Sequence, residues 1–412
     1  LGLRHQANSP MDPHTRLHAQ LLQLLRQHCR PVDQRHLVTL AWMVMGLLLS
    51  QTVSVNGWRD CIPWGERLAA SWQRRCQRWL SNPRIDLETL YLPLALWAVQ
   101  AWQQPGQRLH LALDTTMLWN RYCVVYLSVV CHGRAVPLMW TTLEHGSASV
   151  SAEVCIALLE RAELCLAEFS DLTLLADRAF PSVELLRWFE THPRWHYIMR
   201  LKADTLVYGA GCLGAEVRRL HLPKGVCKGF RNVKLWADAR YPCHLVLAYP
   251  RRVDIKEPWY LITNGPVVFD VVWSYAQRFW CEELFRDAKS GLFQLESSRL
   301  RQEARIDRLL LVIAIAVLVS TLQGFAVSLD DLRRQVDPHW QRGLSYVHIG
   351  LKWLRQLVVD VTKVIRTWRP IPLDNPEPAY PSRAARKRRK QPWFDRVDLP
   401  ENPDAATALR LA

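Results

Sequence analysis

The sequence predicts an α/β fold in which a mixed sheet carries a β-rich insertion and is flanked by helical N- and C-terminal regions. Three observations support this. Residues 14–100 keep roughly helical apolar spacing, in runs such as Leu17, Leu21, Leu22, Leu24 and Leu25. After Pro105-Gly106 the pattern changes to short apolar runs in the order three strands, helix, strand, helix, strand. Between residues 203 and 272, Gly209, Gly211, Gly214, Gly225 and Gly229 punctuate β-prone stretches.

In order, residues 1–104 form a helical region. Its stretch from Trp72 to Leu80 alternates cations with aromatics and stops at Ser81-Asn82-Pro83, as suits a helix against a DNA backbone. Residues 108–114 read as a strand ending in Asp114. Residues 122–131 and 134–140 make a hairpin around His132-Gly133. Residues 149–168 are an amphipathic helix, and 172–176 a short buried strand with Asp177 at its carboxyl end. Pro181 marks the first turn of the next helix, and 195–201 is another strand. This is the element order of a ribonuclease H-like core, whose first part spans residues 105–202. Residues 203–272 are the insertion, and 273–330 return to the core with a polar helix and a following apolar one. Residues 331–368 are a C-terminal helical region. Residues 369–412 are Pro-rich and basic, with a run from Arg386 to Lys390, and read as a disordered tail.

Net charge is +15, from 53 basic and 38 acidic residues, which favours a polyanionic partner. The apolar runs Leu37–Leu49 and Leu309–Val319 are shorter than the ~20 residues a bilayer requires, so both read as core helices and no membrane is expected. The cysteines show no Cys-x-x-Cys spacing, which argues against structural zinc or a disulfide framework and fits a reducing cytoplasm.

The chemistry-bearing residues fall in three places. Asp114 and Asp177 each end a predicted strand, where open α/β sheets place ligands. Two facing acids on neighbouring strands repel one another and require a cation between them. The segment Tyr275–Lys289 contains no Pro or Gly, so it reads as one helix. At about 100° per residue, Tyr275, Arg278, Glu282 and Lys289 share a sector of roughly 60°, with Arg286 near its border. Glu282 supplies a third carboxylate, and the cations suit phosphate oxygens. Two metal ions about 3.5–4 Å apart could then clamp a scissile phosphate. Thr115 and Arg178 flank the acids.

Leu113-Asp114-Thr115, Ala176-Asp177-Arg178-Ala179-Phe180 and the Tyr275–Lys289 helix resemble the DDE transposases of cut-and-paste bacterial insertion sequences. The likeness is to the branch marked by Tyr-x2-Arg-x3-Glu-x6-Lys. It implies that Asp114, Asp177 and Glu282 bind two Mg2+ ions, with Mn2+ as a substitute, and that Tyr275, Arg278 and Lys289 grip phosphates near the element's end. It also implies double-stranded DNA as partner, a homodimer in the DNA complex and a bacterial, nucleoid-associated protein. Two departures stand out. Ala179 replaces the usual Gly, and Phe279 precedes Trp280 where some relatives carry Trp directly after the Arg. Trp259 is a further candidate for stacking on an unpaired base. The competing readings are a ribonuclease H-like nuclease without strand transfer and a transposase-derived DNA-binding protein.

Overall fold

The computed structural model describes residues 12–62, 69–209, 211–252, 254–379 and 392–401. Their contacts group them into two compact units. One is helical, from residues up to 101 and from 285–379. The other carries the sheet, from residues 102–284 and the last described stretch.

The helical unit opens with α1 (Pro13–His28), α2 (Gln34–Ser50), α3 (Ala69–Ser81) and α4 (Leu87–Ala98). Aspartates start three of them. Asp12, Asp33 and Asp86 accept from the backbone N–H groups of Thr15, Arg35 and Thr89 at 3.1, 2.8 and 2.9 Å, meeting donors that a helix start leaves open. On α3, Trp72, Cys76, Trp79 and Leu80 are buried, whereas Arg74 and Arg78 are exposed. The aromatics of this helix therefore belong to its core face and do not interleave with its cations.

The sheet unit begins with β1 (Leu109–Leu118), β2 (Tyr122–Cys131) and β3 (Arg134–Glu144), an antiparallel meander. Next come α5 (Ala152–Cys165), β4 (Leu172–Ala176), α6 (Val183–Glu190) and β5 (Trp195–Arg200). β4 pairs parallel with β1, and β5 parallel with β4. The crossover helices return the chain to the starting edge, as parallel pairing demands. Every residue of β2 is buried, so it reads as a continuous apolar run rather than an alternation.

The insertion supplies β6 (Leu206–Gly209), β7 (Cys212–Glu216), β8 (Val226–Leu235), β9 (Tyr241–Tyr249) and β10 (Trp259–Thr263). It extends the same sheet, in the order β3-β2-β1-β4-β5-β10-β9-β8-β6-β7. The joint is β10, antiparallel to β5 and buried along its whole length. Without it β5 would present an open edge. The chain then forms α7 (Asp270–Gln277) and α8 (Trp280–Arg286).

The expected disordered tail is corrected in part. Residues 392–401 contribute β11 (Arg396–Asp398), parallel to β8. Phe394 is buried against Phe269, and the backbone N–H groups of Asp395 and Arg396 donate to the Gly225 carbonyl at 2.6 and 3.2 Å. Gly225 suits this position because its backbone takes a left-handed φ of +89°, which other residues rarely adopt, and it lies close against Asp395. The composition of the tail hides these few anchors. The run Arg386–Lys390 lies outside the described residues.

The helical unit closes with α9 (Glu303–Leu329) and α10 (Tyr346–Gln356). α9 is longer than the apolar run suggests, and its length and hydropathy would suit a membrane span. Its apolar window is nonetheless wholly buried, packed on α2, α3, α4 and α10. At its crossing with α10, Gly324 and Gly350 let the two backbones touch. A Cβ at either glycine would come within 2 Å of the carbonyl oxygen of Tyr346 or Ser320.

Candidate active site

The sheet places Asp114 and Asp177 side by side. Leu113 pairs with Ala176 in the parallel β1–β4 ladder, and each aspartate is the next residue along. Neighbouring strands run ~4.8 Å apart, and residues in register face the same side. One expectation needs correcting. Asp114 does not lie beyond its strand. β1 continues to Leu118 in partnership with β2, with Asp114 opposite Tyr126, and it is β4 that stops at Ala176. The carboxylate therefore sits on a rigid strand at the point where the neighbouring one ends. A third residue belongs to this row. Ala176 pairs with Met199 of β5, so Arg200 stands level with Asp177. Sequence reasoning did not single out Arg200, although it ends its apolar strand much as Asp177 follows Leu172–Ala176.

The helix carrying Glu282 is not the single regular one expected. It tightens at Arg278, where the N–H bonds to the Tyr275 carbonyl at 3.0 Å and the carbonyl accepts from Cys281 at 3.0 Å. It ends in a π-helical turn over Asp287–Gly291. A constant 100° step therefore fails across the segment. Tyr275, Arg278 and Glu282 remain in the sheet unit, whereas Arg286 and Lys289 fall in the helical one. There Lys289 Nζ stands 3.8 Å from Glu296.

Arg278 links the acids. Its Nη1 donates to Asp114 Oδ2 at 2.9 Å and its Nη2 to Glu282 Oε1 at 3.1 Å. Asp114 Oδ1 also accepts from the Thr115 N–H at 2.9 Å, and Asp177 Oδ1 from the Arg178 N–H at 2.5 Å. The Arg278 side chain is 6% exposed, that of Asp114 14% and that of Glu282 57%. The site thus grades from a buried ion pair to an open carboxylate.

Burial pushes the Asp114 carboxyl up to about 6. The Arg278 cation and the Thr115 N–H oppose that rise, while the charges of Asp177 and Glu282 add to it. For Arg278, burial disfavours the cation, but Tyr275, Asp114, Asp177 and Glu282 outweigh it and hold the guanidinium more firmly protonated than usual. Tyr275 is fully buried, and burial raises its phenol. The Arg278 guanidinium stands 5.9 Å from the centre of the Tyr275 ring.

The remaining aromatics pack locally. Trp259 is buried, 5.2 Å from the ring of Tyr275 and 5.8 Å from that of Phe279, so it is a core residue. Phe279 lies under the Arg278 guanidinium at 4.7 Å. Thr115 Oγ1 donates to the Ala148 carbonyl at 2.8 Å, so its hydroxyl braces the loop between β3 and α5.

Among the described residues, no three His, Cys, Asp or Glu side chains form a ready-made metal cluster. The donor set nevertheless suits a hard cation. Magnesium often takes only one or two protein carboxylates, with waters and substrate phosphate completing its shell. Asp114 and Asp177 supply two on adjacent strands. Arg278 offsets one of the three negative charges and joins Asp114 to Glu282, so the cluster keeps a net negative charge suited to a cation.

Residues 120–319 match the family model described as a transposase DDE domain, a stretch that includes Asp177 and Glu282 and begins six residues after Asp114. No curated protein matches the chain. Among solved structures, a piggyBac transposase synaptic complex with hairpin DNA is similar at 12% identity and a TM-score of 0.39, over 86% of this chain and 82% of that one. The catalytic domain of human endonuclease V is similar at 14% identity and a TM-score of 0.25, over 60% and 94%. Scores this low describe only a distant likeness.

Proposed function

We propose that this chain is a DNA transposase that cuts an element out of donor DNA and joins its ends to target DNA through Asp114, Asp177 and Glu282. The observation that carries the reading is the placement of Asp114 and Asp177 at one level of adjacent parallel strands, with Arg278 connecting Asp114 to Glu282. The transposase DDE domain match over residues 120–319 supports the same chemistry. The strand order β3-β2-β1-β4-β5 supports a ribonuclease H-like core.

Asp114, Asp177 and Glu282 are the residues that would hold divalent ions, Mg2+ by preference. Bound there, such ions supply an activated water or 3′-hydroxyl and stabilise the leaving oxygen. The chain's own groups do the rest. β1 fixes Asp114 rigidly, and the open carboxylate of Glu282 closes on the site from its helix. Arg278 is a cation next to the acids, suited to phosphate oxygens where charge develops, and Tyr275 packs beside it as a further contact on this reading. Arg286 and Lys289 are further phosphate contacts on this reading. The net charge of +15 supports DNA as the partner, engaged by a homodimer.

The test is to incubate the full chain and Mg2+ with DNA bearing the terminal inverted repeats that flank its reading frame. Transposition predicts nicking at the repeat ends and covalent joining to target DNA. Cutting without joining would leave the nuclease reading in its place. Binding without cutting would leave only a DNA-binding protein.

A further inference from the structure

The row formed by Asp114, Asp177 and Arg200 has an unusual neighbour. Arg200 is 15% exposed; its Nη2 donates to Glu257 Oε2 at 2.9 Å and to the Pro258 carbonyl at 3.3 Å. Arg178, directly after Asp177, reaches the same Glu257 oxygen with Nη1 at 3.4 Å. Two guanidinium groups from two strand ends thus converge on one carboxylate oxygen. That carboxylate is 63% exposed and sits in the turn before β10.

The Arg178–Glu257 pair contributes little to stability, because an ion pair exposed on both sides trades its Coulomb gain against hydration and side-chain entropy. Two guanidinium groups gathered about one anionic oxygen can, however, serve a phosphate oxygen in the same place, since arginine makes its strongest hydrogen bonds to carboxylate and phosphate. The cluster also has capacity to spare. The buried Nε of Arg200 makes no hydrogen bond. Tyr275 feels the charges of Arg200, Arg278 and Asp177 together, so these groups share one electrostatic neighbourhood. Unpaired buried donors cost free energy unless an acceptor arrives.

We infer that Arg178 and Arg200 form a clamp for a DNA phosphate beside the carboxylates, and that Glu257 is a placeholder which this phosphate displaces. The inference rests on the proposed DNA chemistry and adds two binding residues and an internal competitor to it. Glu257 keeps the two cations from holding each other apart in the free protein, and its exposure makes it easy to release. Each phosphate neutralised by a cation steepens the salt dependence of binding by about 0.9 in the log–log slope.

The experiment measures binding of the full chain to a labelled duplex end by anisotropy in EDTA over a salt series, with Mg2+-dependent cutting assayed in parallel. Arg178→Gln and Arg200→Gln are each expected to weaken binding about tenfold and to flatten the slope by ~0.9. Glu257→Gln is expected to tighten binding severalfold beyond Glu184→Gln, a control for removing an exposed charge elsewhere on the sheet unit. A gain in affinity cannot come from misfolding, so this variant decides the matter. If Glu257→Gln matches the control or weakens binding, the placeholder is refuted. If the arginine variants keep the wild-type slope, the clamp is refuted. Cutting by the wild type alongside either failure would leave the transposase reading intact. The expected slopes without any cutting would support the clamp and overturn the catalytic reading.

Discussion

Arg278 holds Asp114 and Glu282 together, donating from its two terminal nitrogens at 2.9 and 3.1 Å to acids from separate parts of the chain. A guanidinium in that position lowers the carboxyl of Asp114, while burial raises it, and burial wins. Arg278→Gln should therefore lift the Asp114 carboxyl further above about 6. Carbon-detected NMR titration of the aspartate carboxyls reads this directly. An unchanged Asp114 midpoint would mean that the pair has no electrostatic role.

A second titrating group sits in the same strand. His110 on β1 is held down to about 4, first by burial, and its Nε2 makes no hydrogen bond. The unfolded chain binds a proton near the ordinary histidine value of ~6.5, and the folded one does so only near 4. The contribution is thus fully present above about pH 6.5 and is lost as the pH falls toward 4. Two to three units correspond to about 3 kcal/mol. Asp114, raised to about 6, acts in the opposite sense over much of the same window, so the loss is read as the difference between wild type and His110→Gln in chemical denaturation from pH 6.5 to 4.

The contact between α9 and α10 depends on two glycines. A methyl group at Gly324 or Gly350 would collide with backbone, which cannot swing away as a side chain can. Gly324→Ala and Gly350→Ala should each destabilise the chain by about 2–3 kcal/mol. Midpoints of urea unfolding would report it, and variants as stable as wild type would contradict the close approach.

Chelation should separate binding from chemistry. With EDTA in excess, cutting should stop while DNA is still held by the basic surface. Mg2+ or Mn2+ should restore cutting, and Ca2+ should not. Undiminished cutting in EDTA would exclude the metal role assigned to the three acids.

Much of the sheet was legible because apolar runs and their order constrain pairing. Five-residue apolar runs such as Leu172–Ala176, too short for a core helix and bounded by polar residues, read as inner strands, and the crossovers then make β4 the neighbour of β1. That makes the strands of Asp114 and Asp177 neighbours, and the observed pairing of Leu113 with Ala176 sets the two acids level. What escaped the sequence depended on long-range pairing. Nothing local in Trp259–Thr263 says that it covers β5, and nothing in a polar tail says that Phe394 anchors it. The bend at Arg278 was also hidden, since no Gly or Pro marks it and only the pull of two carboxylates and the packing of Phe279 accompany it. Arg200 was overlooked because a strand-end arginine has no distinguishing pattern until its register with Asp177 is known. Trp259 drew attention as an aromatic near the site, and its burial shows it to be core.

The account turns on whether the three acids act together on DNA. The most direct measurement compares wild type with Asp114→Asn, Asp177→Asn and Glu282→Gln in Mg2+-dependent cutting of a repeat-bearing DNA end, with binding to that end measured alongside. Each variant should lose more than about a hundredfold in cutting, beyond what altered outer-shell groups cost, while retaining the bound complex. Wild-type cutting by any one of them would contradict the account.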